Sequence, residues 1–125
     1  MAVIRVFWVD DSREFVGFGA ELLKEFPHLE LVGSALSAEA GLAAIDRLRP
    51  DLVLMDLAMK DMNGLEATRR LKSGPHPPRV ILVTGSDMPE YRKAAAEAKA
   101  DGFLAKPDVL HGLVPLVEEL FGKPE

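Results

Sequence analysis

The chain has 125 residues, 48% of them hydrophobic and 28% charged, which suits one ordinary globular unit with one core. A formal net charge of −5 argues against direct nucleic-acid binding and against an anionic membrane surface, and the absence of cysteine excludes disulfides, thiolate metal sites and cysteine nucleophiles. Acidic residues follow the N-terminal apolar run too soon for a signal peptide, and no apolar run is long enough to span a membrane, so a cytoplasmic location is expected.

Val3–Val9 is short, apolar and rich in β-branched residues, as a buried strand should be. Ser12 can cap a helix running to about Phe26, with Phe15, Leu22, Leu23 and Phe26 on one face and Pro27 as its stop. Leu29–Ser34 reads as a second strand, and Ala38–Leu48 as a helix with Leu42, Ile45 and Leu48 inward. Leu52–Met55 is a third strand, apolar up to Asp56, followed by a loop and a helix from about Gly64 to Lys72. The breaker SGPHPP precedes a fourth strand, Val80–Val83, that ends at Thr84. A helix from about Pro89 to Ala98 and a short strand, Phe103–Ala105, come next. The last helix, about Asp108 to Phe121, is expected to bury Leu110, Leu113, Val117 and Leu120, with a later start or a kink at Pro115.

Strict alternation of strands apolar on both faces with amphipathic helices predicts an α/β fold, a doubly wound (βα)5 unit with helices on both faces of a parallel sheet. The common strand order for five strands is 2-1-3-4-5. Residues 1–125 read as a single domain, with a core of about residues 3–121 and no output domain in this chain.

In that topology ligands bind beyond the carboxyl ends of the strands, at the switch point between strands 1 and 3. Asp10 and Asp11 close strand 1, Asp56 closes strand 3, Thr84 closes strand 4 and Lys106 closes strand 5, so all five fall on one edge. Two carboxylates about 4 Å apart repel by roughly 4 kcal/mol at an effective dielectric of 20. A hard divalent cation relieves this, and oxygen-only ligation suits Mg²⁺ with room left for a phosphoryl oxygen. Taken singly, Asp11 could be a helix cap, Thr84 structural, Lys106 a solvated charge and Phe103 a core aromatic.

The stretches VDDS, LVLMDLAMKDMNG, VILVTGS and GFLAKP together resemble the receiver domains of two-component response regulators, the CheY-like fold, over nearly the whole chain. The resemblance implies that Asp56 is the phosphoacceptor, taking a phosphoryl group from a sensor histidine kinase or a phosphotransfer protein. It implies Mg²⁺, for which Mn²⁺ can substitute, held by Asp11 directly, by Asp10 largely through water, and by Asp56 and the backbone carbonyl of Ala58. Lys106 then pairs with the phosphoryl group, Thr84 donates its hydroxyl to it, and Pro107 is expected to be cis. Thr84 and Phe103 match the switch positions that alter the face made by helix 4, strand 5 and helix 5. Ala58 and Ser86 match the positions that set the lifetime of the phosphoryl group, and neither orients water well. Such a protein is not a conventional enzyme, although it catalyses its own phosphorylation and dephosphorylation. Its implied partners are the phosphodonor and an output domain or downstream protein, and homodimerisation on phosphorylation is common in the family.

Two positions depart from the family pattern. Lys60 stands where proline is usual, which predicts a less rigid loop, and Lys99 stands where glycine is common, which predicts strain if its backbone is left-handed. Three other readings are open to this sequence. A haloacid-dehalogenase-type phosphatase uses the same groups but needs an Asp-x-Asp nucleophile on strand 1. A flavin-mononucleotide binder needs a Ser/Thr/Gly-rich phosphate loop where this chain has DDSRE. A degenerate receiver would act only as a protein-interaction module.

Overall fold

Ser12, Ser37 and Asn63 each place a side-chain oxygen on a backbone N–H of the following turn, and each starts a helix where the sequence led us to expect one. In the computed structural model, which describes residues 2–124, these helices are α1 (Arg13–Lys24), α2 (Ala38–Leu48) and α3 (Gly64–Lys72). They alternate with β1 (Ile4–Val9), β2 (Leu29–Ala35), β3 (Leu52–Asp56), β4 (Arg79–Thr84) and β5 (Gly102–Ala105). Helix α4 (Pro89–Glu97) begins with proline at its first position, and α5 (Val109–Phe121) follows a 3-10 turn over Lys106–Asp108.

All four strand pairings are parallel, and the sheet order is β2-β1-β3-β4-β5, as the alternation predicts. The central strands bury both faces, which is why they are apolar without alternation. On one face Val6, Trp8, Leu52, Leu54, Ile81 and Val83 pack with the apolar stripes of α1 and α5. On the other, Phe7, Val9, Val53, Met55, Val80 and Leu82 pack with α2, α3 and α4. None of the described helices is long and apolar enough to cross a membrane.

Three expectations are corrected. Leu110 is 50% exposed rather than buried, because α5 begins at Val109 and turns Val109, Leu113 and Val117 onto the core. Helix α5 does not start late: it runs from Val109 to Phe121 with Pro115 inside it, on its exposed side. The bond preceding Pro107 is trans, and the fixed φ of the proline is used in the 3-10 turn. Lys99 does adopt the left-handed backbone, with φ 69°, just beyond α4, and Arg49 at the end of α2 has φ 49°.

Candidate phosphoryl-transfer site

The register of the sheet builds the site. Trp8 and Val9 of β1 pair with Leu54 and Met55 of β3, so Asp10 and Asp56 emerge side by side. Asp56 pairs with Val83, which leaves Thr84 one residue further at the end of β4 and Lys106 just beyond Ala105, the partner of Thr84. Asp10 and Asp56 are buried, and Asp11 is exposed at the mouth. Each of the three offers a carboxylate oxygen, and these oxygens all lie within 4.8 Å of one another.

Lys106 Nζ lies 2.9 Å from Asp10 Oδ2 and 3.9 Å from Asp56 Oδ2. The closer approach lacks hydrogen-bond geometry, so Asp10 Oδ2 is buried with a charge beside it but no donor aimed at it. Asp10 Oδ1 accepts the Ser12 N–H at 2.8 Å, which fixes the carboxylate against the start of α1. Burial first, then the charge of Asp10, pushes the Asp56 carboxyl up to about 7, with Asp11 adding to the effect and Lys106 and the Ala58 N–H opposing it. Such a cluster of oxygens, with one buried oxygen lacking a donor, fits a hard divalent cation.

Thr84 is buried, and its Oγ1 accepts the Ser86 N–H at 3.2 Å. Ala58 and Ser86 are exposed beside the mouth, in the loops after β3 and β4. Phe103 lies apart, on the α4 side of the sheet, with the Arg92 guanidinium 4.9 Å above its ring. Arg92 in turn holds Asp87 at 2.7 and 2.9 Å, which lowers the Asp87 carboxyl.

Several supporting residues were not singled out by sequence. Asp61 accepts the Ala38 and Glu39 N–H groups at 3.1 and 3.0 Å, so the loop after Asp56 is tied to the start of α2 although Lys60 replaces proline. Those two amides hold its carboxyl low. Gly64 packs so closely that a Cβ would overlap the Asp56 carbonyl oxygen, and its N–H donates to Leu57 O at 2.7 Å. A glycine opening a helix, where it is a poor former, was the available signal. Phe15, expected only to face the core, also lies under Lys106, with the ammonium 4.7 Å from the ring centroid.

The sequence matches the family model for the response regulator receiver domain over residues 6–117. It is 36% identical, across 98% of this chain, to a protein-glutamate methylesterase/protein-glutamine glutaminase of Geobacillus kaustophilus, and covers 36% of that protein. It is 37% identical, across 82% of this chain, to the response regulator protein VraR of Staphylococcus aureus, and covers 49% of it. The chain therefore spans about a third to a half of the length of these relatives. Its fold is similar to the signal receiver domain of NarL from Mycobacterium tuberculosis, with a TM-score of 0.89 and 28% identity over 96% of this chain and 97% of that one. It is also similar to a CheY-like receiver domain from Methanospirillum hungatei, with a TM-score of 0.81 and 28% identity over 95% and 94% of the two chains.

Proposed function

The chain belongs to the response regulator receiver family, and from that premise we propose that it accepts a phosphoryl group on Asp56 and transmits the change through its surface. The observation that carries the reading is the cluster itself: three carboxylates with oxygens within 4.8 Å, and Lys106 reaching two of them. The family match does not favour the phosphatase or the flavin-binding reading, and the full residue set speaks against a degenerate interaction module.

An Asp56 carboxylate oxygen attacks the phosphorus of a phosphohistidine on a sensor kinase or phosphotransfer protein. A P–O bond forms as the P–N bond breaks, and the departing imidazole retains or takes up a proton. The product is an acyl phosphate on Asp56. Lys106 pairs with the arriving phosphoryl oxygens, and the Thr84 hydroxyl donates to one of them. These residues supply positioning and electrostatic stabilisation, which is most of what phosphoryl transfer needs. Asp11 would hold Mg²⁺ directly, Asp10 largely through water, and Asp56 and the Ala58 carbonyl would complete the protein ligands. A divalent cation held by these groups would supply charge neutralisation at the carboxylates.

Thr84 and Phe103 form the proposed switch, read out on the face of α4, β5 and α5 by an output domain, a downstream protein or a second copy of the chain. Intact mass after incubation with acetyl phosphate tests the reading. We expect a Mg²⁺-dependent phosphoryl adduct that Asp56→Asn lacks. No adduct on the folded wild type would return the chain to the class of interaction modules.

A further inference from the structure

The Lys106 side chain is 26% exposed, so water is available to its ammonium on one side. Four flexible carbons separate that charge from the backbone, and holding it in one place costs rotamer entropy. Asp10 and Asp56 attract it from below, but neither gives it a well-aligned hydrogen bond. The third neighbour is the Phe15 ring, 4.7 Å from Nζ to centroid, within cation–π range.

The ring is itself held. The Ser12 cap places Phe15 in the first turn of α1, where side chains lean back toward the helix N-terminus and so toward the site. Trp8, 1% exposed, meets the ring edge-on at 5.8 Å with an interplanar angle of 67°. Trp8 has its place only because residue 19 is glycine: a Cβ there would come within 2.5–2.8 Å of three Trp8 ring carbons. A continuous stack, Gly19–Trp8–Phe15–Lys106, thus runs from the core to the ammonium.

We infer that Phe15 is a positioning residue, whose ring face keeps the Lys106 ammonium over the carboxylate cluster so that it meets an arriving phosphoryl group without a search. A Phe15 that served only the core would need its volume but not its π-electrons. The inference rests on the proposed phosphorylation of Asp56 for its consequence, but not for the placement of Lys106.

The test uses the full chain with 4-fluoro-, 3,5-difluoro- and 3,4,5-trifluorophenylalanine placed at position 15, beside Phe15→Tyr and Phe15→Leu. Fluorination weakens the ring face stepwise with little change in shape. Two quantities are measured at matched thermal stability: the NMR order parameter of the Lys106 side chain, and the rate of Asp56 phosphorylation by acetyl phosphate. We expect Lys106 order to fall with each fluorine and the rate to drop about three- to tenfold by the trifluoro ring, with Tyr near wild type and Leu at the low end. Lys106 order that does not respond to fluorination overturns the inference, whatever the rate does. So does a wild type that is phosphorylated at a rate indifferent to the series. A wild type with no adduct, but with Lys106 order that follows the fluorine count, sinks the proposed function while the placement of Lys106 by Phe15 stands.

Discussion

Lys106 Nζ stands 2.9 Å from Asp10 Oδ2, an oxygen buried without a hydrogen-bond donor, and so the lysine is drawn first to the carboxylate that neighbours Asp56. Asp56 receives the weaker share of that charge, at 3.9 Å. One ammonium among three carboxylates leaves negative charge uncompensated at a largely buried place. The consequences for stability follow from that imbalance.

The Asp56 carboxyl is raised from 3.8 to about 7 by burial first and by Asp10 next. The folded protein therefore keeps a proton that the unfolded chain releases at lower pH. That contribution to stability is complete below the unfolded pKa and is lost as pH rises through the folded one. In chelator, wild-type Tm should fall between about pH 4 and about pH 8 by this route. Asp56→Asn should be the more stable protein at the alkaline end, by on the order of 2–4 kcal/mol, and the difference should close toward the acid end. Urea denaturation of both proteins at each pH checks this. Superimposable curves at the alkaline end would show that Asp56 carries no penalty.

The same repulsion should make the stability of the fold respond to a divalent cation. A ligand that binds only the folded state raises its stability with concentration. Millimolar Mg²⁺ should raise the Tm of the wild type above its pI, and Asp11→Ala should lose most of the rise. Calorimetry with and without Mg²⁺ is the measurement. An equal rise in the two proteins would remove Asp11 from the ligand set.

Gly64 and Gly17 make a matched pair. At Gly64 an added Cβ overlaps the Asp56 carbonyl, while at Gly17, exposed on α1, nothing lies within 4 Å. Gly64→Ala should therefore cost about 1–3 kcal/mol and displace the loop that carries Ala58. Gly17→Ala should stabilise by about 0.5–1 kcal/mol, since only helix propensity changes. Chemical denaturation separates the two signs, and a neutral Gly64→Ala would contradict the packing described.

Ala58 offers no side-chain hydrogen bond and the Ser86 hydroxyl is a poor orienter of an attacking water, so an acyl phosphate on Asp56 should decay slowly to moderately. Ala58→Asn, which can orient a water beside the site, should shorten the lifetime severalfold. Decay of the adduct followed by intact mass would answer this, and an unchanged half-life would assign the lifetime to other groups.

The elements, the Ser12 cap and the strand order were readable because they rest on local rules: the apolar strand runs, a Ser just before a helix, the Pro and Gly breaks. The four acid and lysine positions were readable for the same reason, since each sits where an apolar run stops. Leu110 was misplaced because α5 carries apolar residues around much of its circumference, and only the 3-10 turn at Lys106–Asp108 fixes which of them turns inward. The departure of Lys99 from glycine leaves its backbone open in the sequence, and only the structure gives the left-handed φ of 69° beyond the end of α4.

The sequence by itself determined which residue types stand at each strand end, because periodicity and breakers act over a few residues. Tertiary structure alone decided how they meet. That Lys106 leans on Asp10 before Asp56, that Phe15 lies under its ammonium, and that Asp61 ties a loop to a distant helix are distances between segments far apart in the chain. They follow from sheet register and side-chain reach, and no local pattern encodes either.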